Sequence, residues 1–233
     1  MKKFFTLIAA VAMAASVNAQ GTYAVAVGDN VNAGDQISSV NNVTLTYCEN
    51  AGTAFAVGKK TTNWADADFG AYVCGKNSGK LVSGAAPTGC VYKFDTKVAG
   101  TLTVAVQLNA DKGFHVLGSD FAEVALASYN LPAAKDGTSQ EFTQNDKGEN
   151  IVAVKSNGTV TINAVAGGTY YVLAAGTKLG FYGFKFTSGT SGILNINASE
   201  AANEGATFNL LGQKVASNAK GLVIKNGKKF INK

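Results

Sequence analysis

The 233-residue sequence contains no arginine, one histidine (His115), one tryptophan (Trp64), two prolines and three cysteines. Each scarcity removes a class of function. All twenty basic residues are lysine. Two stand at the extreme N-terminus, and six lie in the last twenty residues, which hold no acid. Between them twelve lysines face fifteen acids, so the body of the chain is net negative although the whole sequence is formally +5. A body with that balance and no arginine lacks both the field and the bidentate base-reading group of a nucleic-acid binder. A single histidine and no CxxC cannot complete the usual zinc ligand sets. Nucleophilic catalysis through histidine has only His115 to draw on, and its place in GFHVL puts it opposite Phe114 and Val116 on a strand, an expected face residue with no catalytic role. None of the GxSxG, HExxH, phosphate-loop or dinucleotide fingerprints is present.

The N-terminus is of another kind. Lys2 and Lys3 precede an apolar run over residues 4–15, which closes on Val17-Asn18-Ala19 with small residues at a cleavage site. The run is shorter than the roughly 20 residues that span a bilayer. Residues 1–19 are therefore expected to be a signal peptide cut after Ala19, and Gln20 in place of cysteine argues against a lipoprotein. No later run is long enough to cross a membrane. The expected destination is extracellular or the outer cell surface, with the periplasm as the alternative. In such a compartment Cys74 and Cys90, which flank fifteen residues, would close that loop if oxidised, worth on the order of 3 kcal/mol. Three free thiols are the competing reading, since an odd count cannot pair completely.

Period-two alternation recurs along the body and helical periodicity does not. Residues 22–27, 43–48 and 90–94 read as strands, and residues 101–108 show the pattern most clearly: Leu102, Val104, Val106 and Leu108 face one way, Thr101, Thr103, Ala105 and Gln107 the other. Further strands are expected at 114–117, 123–129, 150–155, 159–165, 169–174 and 180–187. Turns are expected at Ser156-Asn157-Gly158, Ala166-Gly167-Gly168 and Ala175-Gly176-Thr177. With 27 glycines and two prolines, turns rest on residues tolerant of positive φ. The pattern predicts an all-β, antiparallel β-sandwich, jelly-roll-like, over residues 20–188. A Ser/Gly/Thr stretch follows, and then a small C-terminal β appendage over 189–233. Asn226-Gly227 between two apolar runs predicts a two-residue hairpin.

Within that appendage, ATFNLLGQKV and KGLVIKNGKKFINK resemble the C-terminal sorting region of proteins exported by the type IX secretion system. Phe208, Asn209, Gly212, Gln213 and Val215 match the first element of that pattern, and Lys220, Gly221, Leu222, Val223 and Ile224 the second. The resemblance implies a destination and a secretion machinery as partner; it implies no activity. Residues 166–186 also look like the closing strands of β-sandwich modules attached to secreted polysaccharide-degrading enzymes, through Tyr170, Tyr171, Gly176, Lys178, Gly180, Phe181, Gly183 and Phe184. Of these, Tyr170, Tyr171, Phe181 and Phe184 are expected in the core.

Sugar recognition needs an exposed aromatic ring against the apolar face of a pyranose, with amides, acids and lysines for its hydroxyls. Trp64 sits in a polar neighbourhood beside Asn63, Asp66 and Asp68 and is the expected platform, with Tyr72 and Tyr129 as further rings. Asp66 and Asp68, two apart on an extended segment, would project together as an acid pair or a calcium site; otherwise no cofactor is expected. Three functions follow: a non-catalytic glycan binder, a structural or adhesive surface protein making protein contacts, and a carbohydrate-active enzyme working through two carboxylates.

Overall fold

A computed structural model describes residues 20–50, 53–59 and 64–189, and the backbone of four strands between 207 and 232. The expected signal peptide lies outside the described residues, as do Asn63, Asn209, Gly212, Gln213 and Lys220. The chain divides into two compact units at Thr190 and Ser191.

The first unit is all-β. In chain order its strands are β1 (Gln20–Ala24), β2 (Gln36–Val40), β3 (Val43–Cys48), β4 (Ala56–Lys59), β5 (Ala71–Cys74), β6 (Lys80–Val82), β7 (Ala85–Thr88), β8 (Val91–Thr96), β9 (Gly100–Leu108) and β10 (Phe114–Leu117). There follow β11 (Ser128–Pro132), β12 (Ser139–Gln140), β13 (Thr143–Gln144), β14 (Asn150–Ile151), β15 (Ser156–Ala164), β16 (Thr169–Ala174) and β17 (Gly180–Ser188). One sheet runs β12-β11-β15-β9-β17-β5-β4, with β1 also paired to β17. The other runs β13-β14-β10-β16-β8-β3-β2, and β6 and β7 form a separate hairpin. Every strand pairing is antiparallel, and the two large sheets pack as a β-sandwich.

The alternation along β9 places the core. Leu102, Val104, Val106 and Leu108 are buried against Leu45, Tyr92, Phe94 and Val172 of the opposite sheet. The centre is aromatic: Tyr92 stacks on Phe181 with ring centroids 4.6 Å apart, and Tyr47 meets Phe55, Tyr92 and Phe181 edge-on. A buried phenol needs a partner. Tyr92 Oη donates to the Leu179 carbonyl at 2.8 Å, and Tyr47 Oη shares a 2.9 Å hydrogen bond with Tyr23 Oη.

β17 departs from strict alternation. Phe181 pairs with Val106 and Gly183 with Ala105, leaving Tyr182 unopposed in a β-bulge. Gly183 has φ 144°, and a Cβ there would lie 2.1 Å from the Tyr23 carbonyl oxygen, so the bulge needs glycine. As a result Phe181, Phe184 and Phe186 all point into the core, and Tyr182 joins a different cluster.

The structure corrects several expectations. Ser156, Asn157 and Gly158 do not form a turn; they begin β15, paired with Leu108, Gln107 and Val106. A Cβ on Gly158 would lie 2.0 Å from the Asn130 carbonyl oxygen, so this glycine serves the close approach of β11 rather than a bend. The strand expected at 123–129 begins only at Ser128, that at 150–155 ends at Ile151, and that at 22–27 ends at Ala24. Tyr171 packs with Val91, Leu117 and Leu173 in a separate cluster instead of the main core. The expected turns around Gly167 and Gly176 are present, each glycine at φ 70°.

In the second unit β18 (Thr207–Phe208), β19 (Lys214–Val215), β20 (Gly221–Lys225) and β21 (Lys228–Asn232) form one sheet in the order β19-β18-β20-β21. Lys225 pairs with Lys228, the register of a two-residue hairpin. Phe208 pairs with both Lys214 and Ile224, Thr207 pairs with Val215, and Gly221 pairs with Asn232.

If Gly158 seats β11, a Gly158→Ala substitution will overpack the β11–β15 contact and cost about 1–3 kcal/mol. Urea titration checks this as a lower midpoint at unchanged slope; an unchanged or higher midpoint would show that β11 does not rest there.

Candidate binding site

The outer face of the first sheet is partly covered. Ala105 and Gln107, expected on the solvent side of β9, are 0% and 8% exposed. The segment before β5 crosses this face: Phe69 packs with Ala105 and Tyr182, and Trp64, Tyr72 and Ala24 pack around them. Trp64 lies tilted against Tyr182 with 4.0 Å between ring centroids, and Tyr72 lies 5.4 Å from the same ring. The bulge in β17 is what turns Tyr182 outward to hold both. Trp64 is half-buried, and its Nε1 has no partner among the described residues.

Beside Tyr72 the sheet opens into a cavity of about 430 Å³. Its wall carries Tyr72 from β5, Gln107 from β9 with Asn109 just beyond it, Thr177 and Lys178 from the loop before β17, Ser78 from the base of the β6–β7 hairpin, and Cys74. Glycine makes the room. A Cβ on Gly58 would lie 2.6 Å from the Tyr72 ring, and one on Gly180 would lie 2.9 Å from Gln107 Cβ, so the ring lies across one bare backbone with another beside it. The amides are fixed in place. Gln107 Nε2 donates to Asn157 Oδ1 at 2.9 Å and to Tyr182 Oη at 3.2 Å, and Asn109 Nδ2 donates to Thr177 Oγ1 at 3.0 Å. Among the described residues the lining holds one ammonium group and neither a carboxylate nor a histidine. Composition gave no sign of this site, because its polar groups come from four separated segments. The one local signal was the alternation that put Gln107 on the outer face.

A second hollow, about 270 Å³, contains Asp29 and Asp35. Each carboxylate is committed to a local backbone N–H, that of Ala26 and of Asn32.

The expected site residues are dispersed. Tyr72 lines the cavity; Trp64 does not, though it shares Tyr182 with it. Tyr129 is on β11 towards the other end of the sheet, where its Oη donates to Glu141 at 2.5 Å and its ring meets Phe142 edge-on. Asp66 and Asp68 do project together, and what they face is Lys185, whose Nζ lies 2.5 Å from Asp66 and 2.8 Å from Asp68. A calcium ion at this pair would have to displace that ammonium. Burial opposes the charge on Asp66, but hydrogen bonds from Lys185 and from the Asp68 N–H outweigh it and hold its carboxyl below the ordinary range. Lys185 is raised: burial works against its charge, and the two carboxylates overcome that. Cys48, Cys74 and Cys90 stand as free thiols. His115 is buried between two loop acids, Nδ1 bonded to Glu123 and Nε2 3.5 Å from Glu149. Among the described residues no cluster of three or more His, Cys, Asp and Glu is suited to a metal ion, and no helix is long and apolar enough to cross a membrane.

No family model matches the sequence, and no curated protein does. Among solved structures the chain is similar to the K1 cleaved adhesin domain of Lys-gingipain from Porphyromonas gingivalis W83, with 12% identity and a TM-score of 0.31. The match covers 69% of this chain and 97% of that one.

The Asp66–Lys185–Asp68 cluster makes a pH-dependent contribution of known sign. Asp66 is lowered in the fold, so its share is present above the ordinary carboxylate value near pH 4 and is lost as pH falls through the lowered one. Lys185 is raised, so its share is present below about pH 10.4 and is lost as pH rises through the raised value. A Lys185→Met variant should be less stable than the parent by about 0.5–1 kcal/mol from pH 5 to 9, with the gap closing at both extremes. Urea midpoints across pH read this directly; a gap independent of pH would exclude the ion pairs as its source.

Proposed function

We propose that this sandwich is a non-catalytic glycan-binding domain, with its ligand in the cavity beside Tyr72. The observation that carries the reading is the make-up of that wall: an aromatic ring, two pre-fixed amides, two hydroxyls and one ammonium around about 430 Å³, within the range of small-ligand sites. Tyr72 offers an apolar face to a pyranose ring, and the amides and hydroxyls match its hydroxyl groups. Carboxylate catalysis would require an acid pair about the bound sugar. Among the described residues the cavity wall has none, and Asp66 and Asp68 are paired with Lys185 elsewhere on the face. In this reading Trp64 is a buttress behind Tyr182, and Tyr72 is the ring that meets the sugar.

A second reading, a surface protein that adheres through protein contacts, draws on the β6–β7 hairpin, where Leu81 and Val82 are 44% and 39% exposed. In both readings the chain acts after export, which rests on the signal-like residues 1–19 and the sorting-like tail. Detection of a mature chain beginning at Gln20 outside the cell tests that placement.

Glycan-array screening followed by calorimetry on the best neutral oligosaccharide tests the site. Tyr72→Ala should weaken binding roughly tenfold or more, Lys178→Ala by less, and Trp64→Ala should lower thermal stability more than affinity. Loss of binding in Trp64→Ala with none in Tyr72→Ala would move the site away from the cavity. Absence of any glycan binding, with self-association abolished by Leu81→Asp, would favour the adhesive reading.

A further inference from the structure

Cys74 ends β5 in one sheet, and Cys90 stands immediately before β8 in the other. The fifteen residues between them leave the sandwich as the exposed β6–β7 hairpin and return. The root of that hairpin is tightly held. The Gly79 N–H donates to the Thr177 carbonyl at 2.8 Å, the Gly176 N–H to the Gly79 carbonyl at 2.9 Å, and Asn77 Nδ2 to Glu49 at 2.6 Å. The chain also passes directly against Cys90: a Cβ on Gly75 would lie 2.8 Å from Cys90 Cβ and 2.9 Å from its sulfur.

The two cysteines are brought together by this contact of Gly75, the residue after Cys74, and they differ in access. Cys90 is fully buried, with the Gly75 N–H donating to its sulfur at 3.2 Å. Cys74 is half-buried and forms part of the cavity wall. Cys48 belongs elsewhere, packed on Val91 and Leu173 in the separate cluster.

We propose that Cys74 and Cys90 are a redox pair that closes, by exchange with a small organic disulfide admitted through the cavity, into a clasp joining the two sheets at the root of the hairpin. Contact with Cys74, joined by the Gly75 N–H, holds the Cys90 thiol down against the cost of burial, while contact with Cys90 and burial push the Cys74 thiol up, so the proton of a singly ionised pair rests on Cys74. In the first step that proton passes to Cys90, and the Cys74 thiolate attacks one sulfur of the incoming disulfide. A mixed disulfide forms on Cys74 and one thiolate leaves. In the second step the departing thiolate takes the proton from Cys90. The Cys90 thiolate then attacks the Cys74 sulfur, forming the internal bond and expelling the second thiolate. Two cysteines are oxidised and one external disulfide is reduced to two thiol equivalents. The bond fixes Gly75 and Ser78, one wall of the cavity. The inference does not depend on the nature of the cavity's ligand.

The test uses the full chain, reduced, freed of reductant and exposed to oxidised glutathione, with the remaining thiols alkylated before trypsin digestion. The expected product is a link between peptides 61–76 and 81–93 that disappears on reduction, with Cys48 alkylated throughout. Amide exchange over residues 80–88 should slow on oxidation, and the unfolding midpoint should rise by roughly 5–10 °C. A Cys74→Ser variant, changed at the half-buried partner, should form no link and show a midpoint indifferent to reductant. Alkylation of all three cysteines after oxidant, a link containing Cys48, or a Cys74–Cys90 link that leaves hairpin exchange and midpoint unchanged would overturn the proposal.

Discussion

The bulge at Tyr182 in β17 is the constraint on which both sides of the first sheet depend. β17 is central, paired along its length with β9 and sharing its other edge between β1 and β5. A regular strand with Phe181 inward would send Gly183 inward and Phe184 out to solvent. One extra residue resets the phase, so three phenylalanines reach the core and one tyrosine reaches the outer face. That tyrosine then touches Trp64, Tyr72 and Gln107. Core and cavity are thus set by the same local geometry, and Gly183 is the residue that permits it.

The site follows from this in chemical terms. Tyr182 orders a ring on one side and an amide on the other, and glycines at 58 and 180 leave the space between them open. Among the described residues, what lines that space is largely polar and carries one positive group and no negative one, although the body of the chain is net acidic. Acids elsewhere on the face are spent on Lys185. In the function proposed for it, this wall would meet a neutral, hydroxyl-rich ligand through Tyr72 and the two amides.

The fold was legible where alternation was clean and unreadable where contacts at long range set the conformation. β3, β10 and β16 fall on the expected residues, and β9 buries the expected face. Ser156-Asn157-Gly158 has turn composition, yet β9 pairs it into a strand, and Gly158 is there for the close approach of the β11 backbone, which no local pattern reports. Residues 123–127 alternate like a strand, but most of the segment runs across His115 as a loop, with the Val124 N–H on the Val116 carbonyl and Glu123 on the imidazole. For the site, Tyr72 was legible as an aromatic near a strand end. Its grouping with Gln107, Asn109, Thr177 and Lys178 was not, because those residues meet only through sheet order and a register that the bulge defines.

The most direct test of this account is a side-chain amide NMR titration of the isotopically labelled chain with a bound oligosaccharide. The account predicts that the Gln107 and Asn109 amide signals and the backbone of Thr177, Lys178 and Gly180 shift together at one affinity, while those around Glu123 and Glu149 stay in place. Shifts confined to the opposite sheet, or to Trp64 without Gln107, would contradict it.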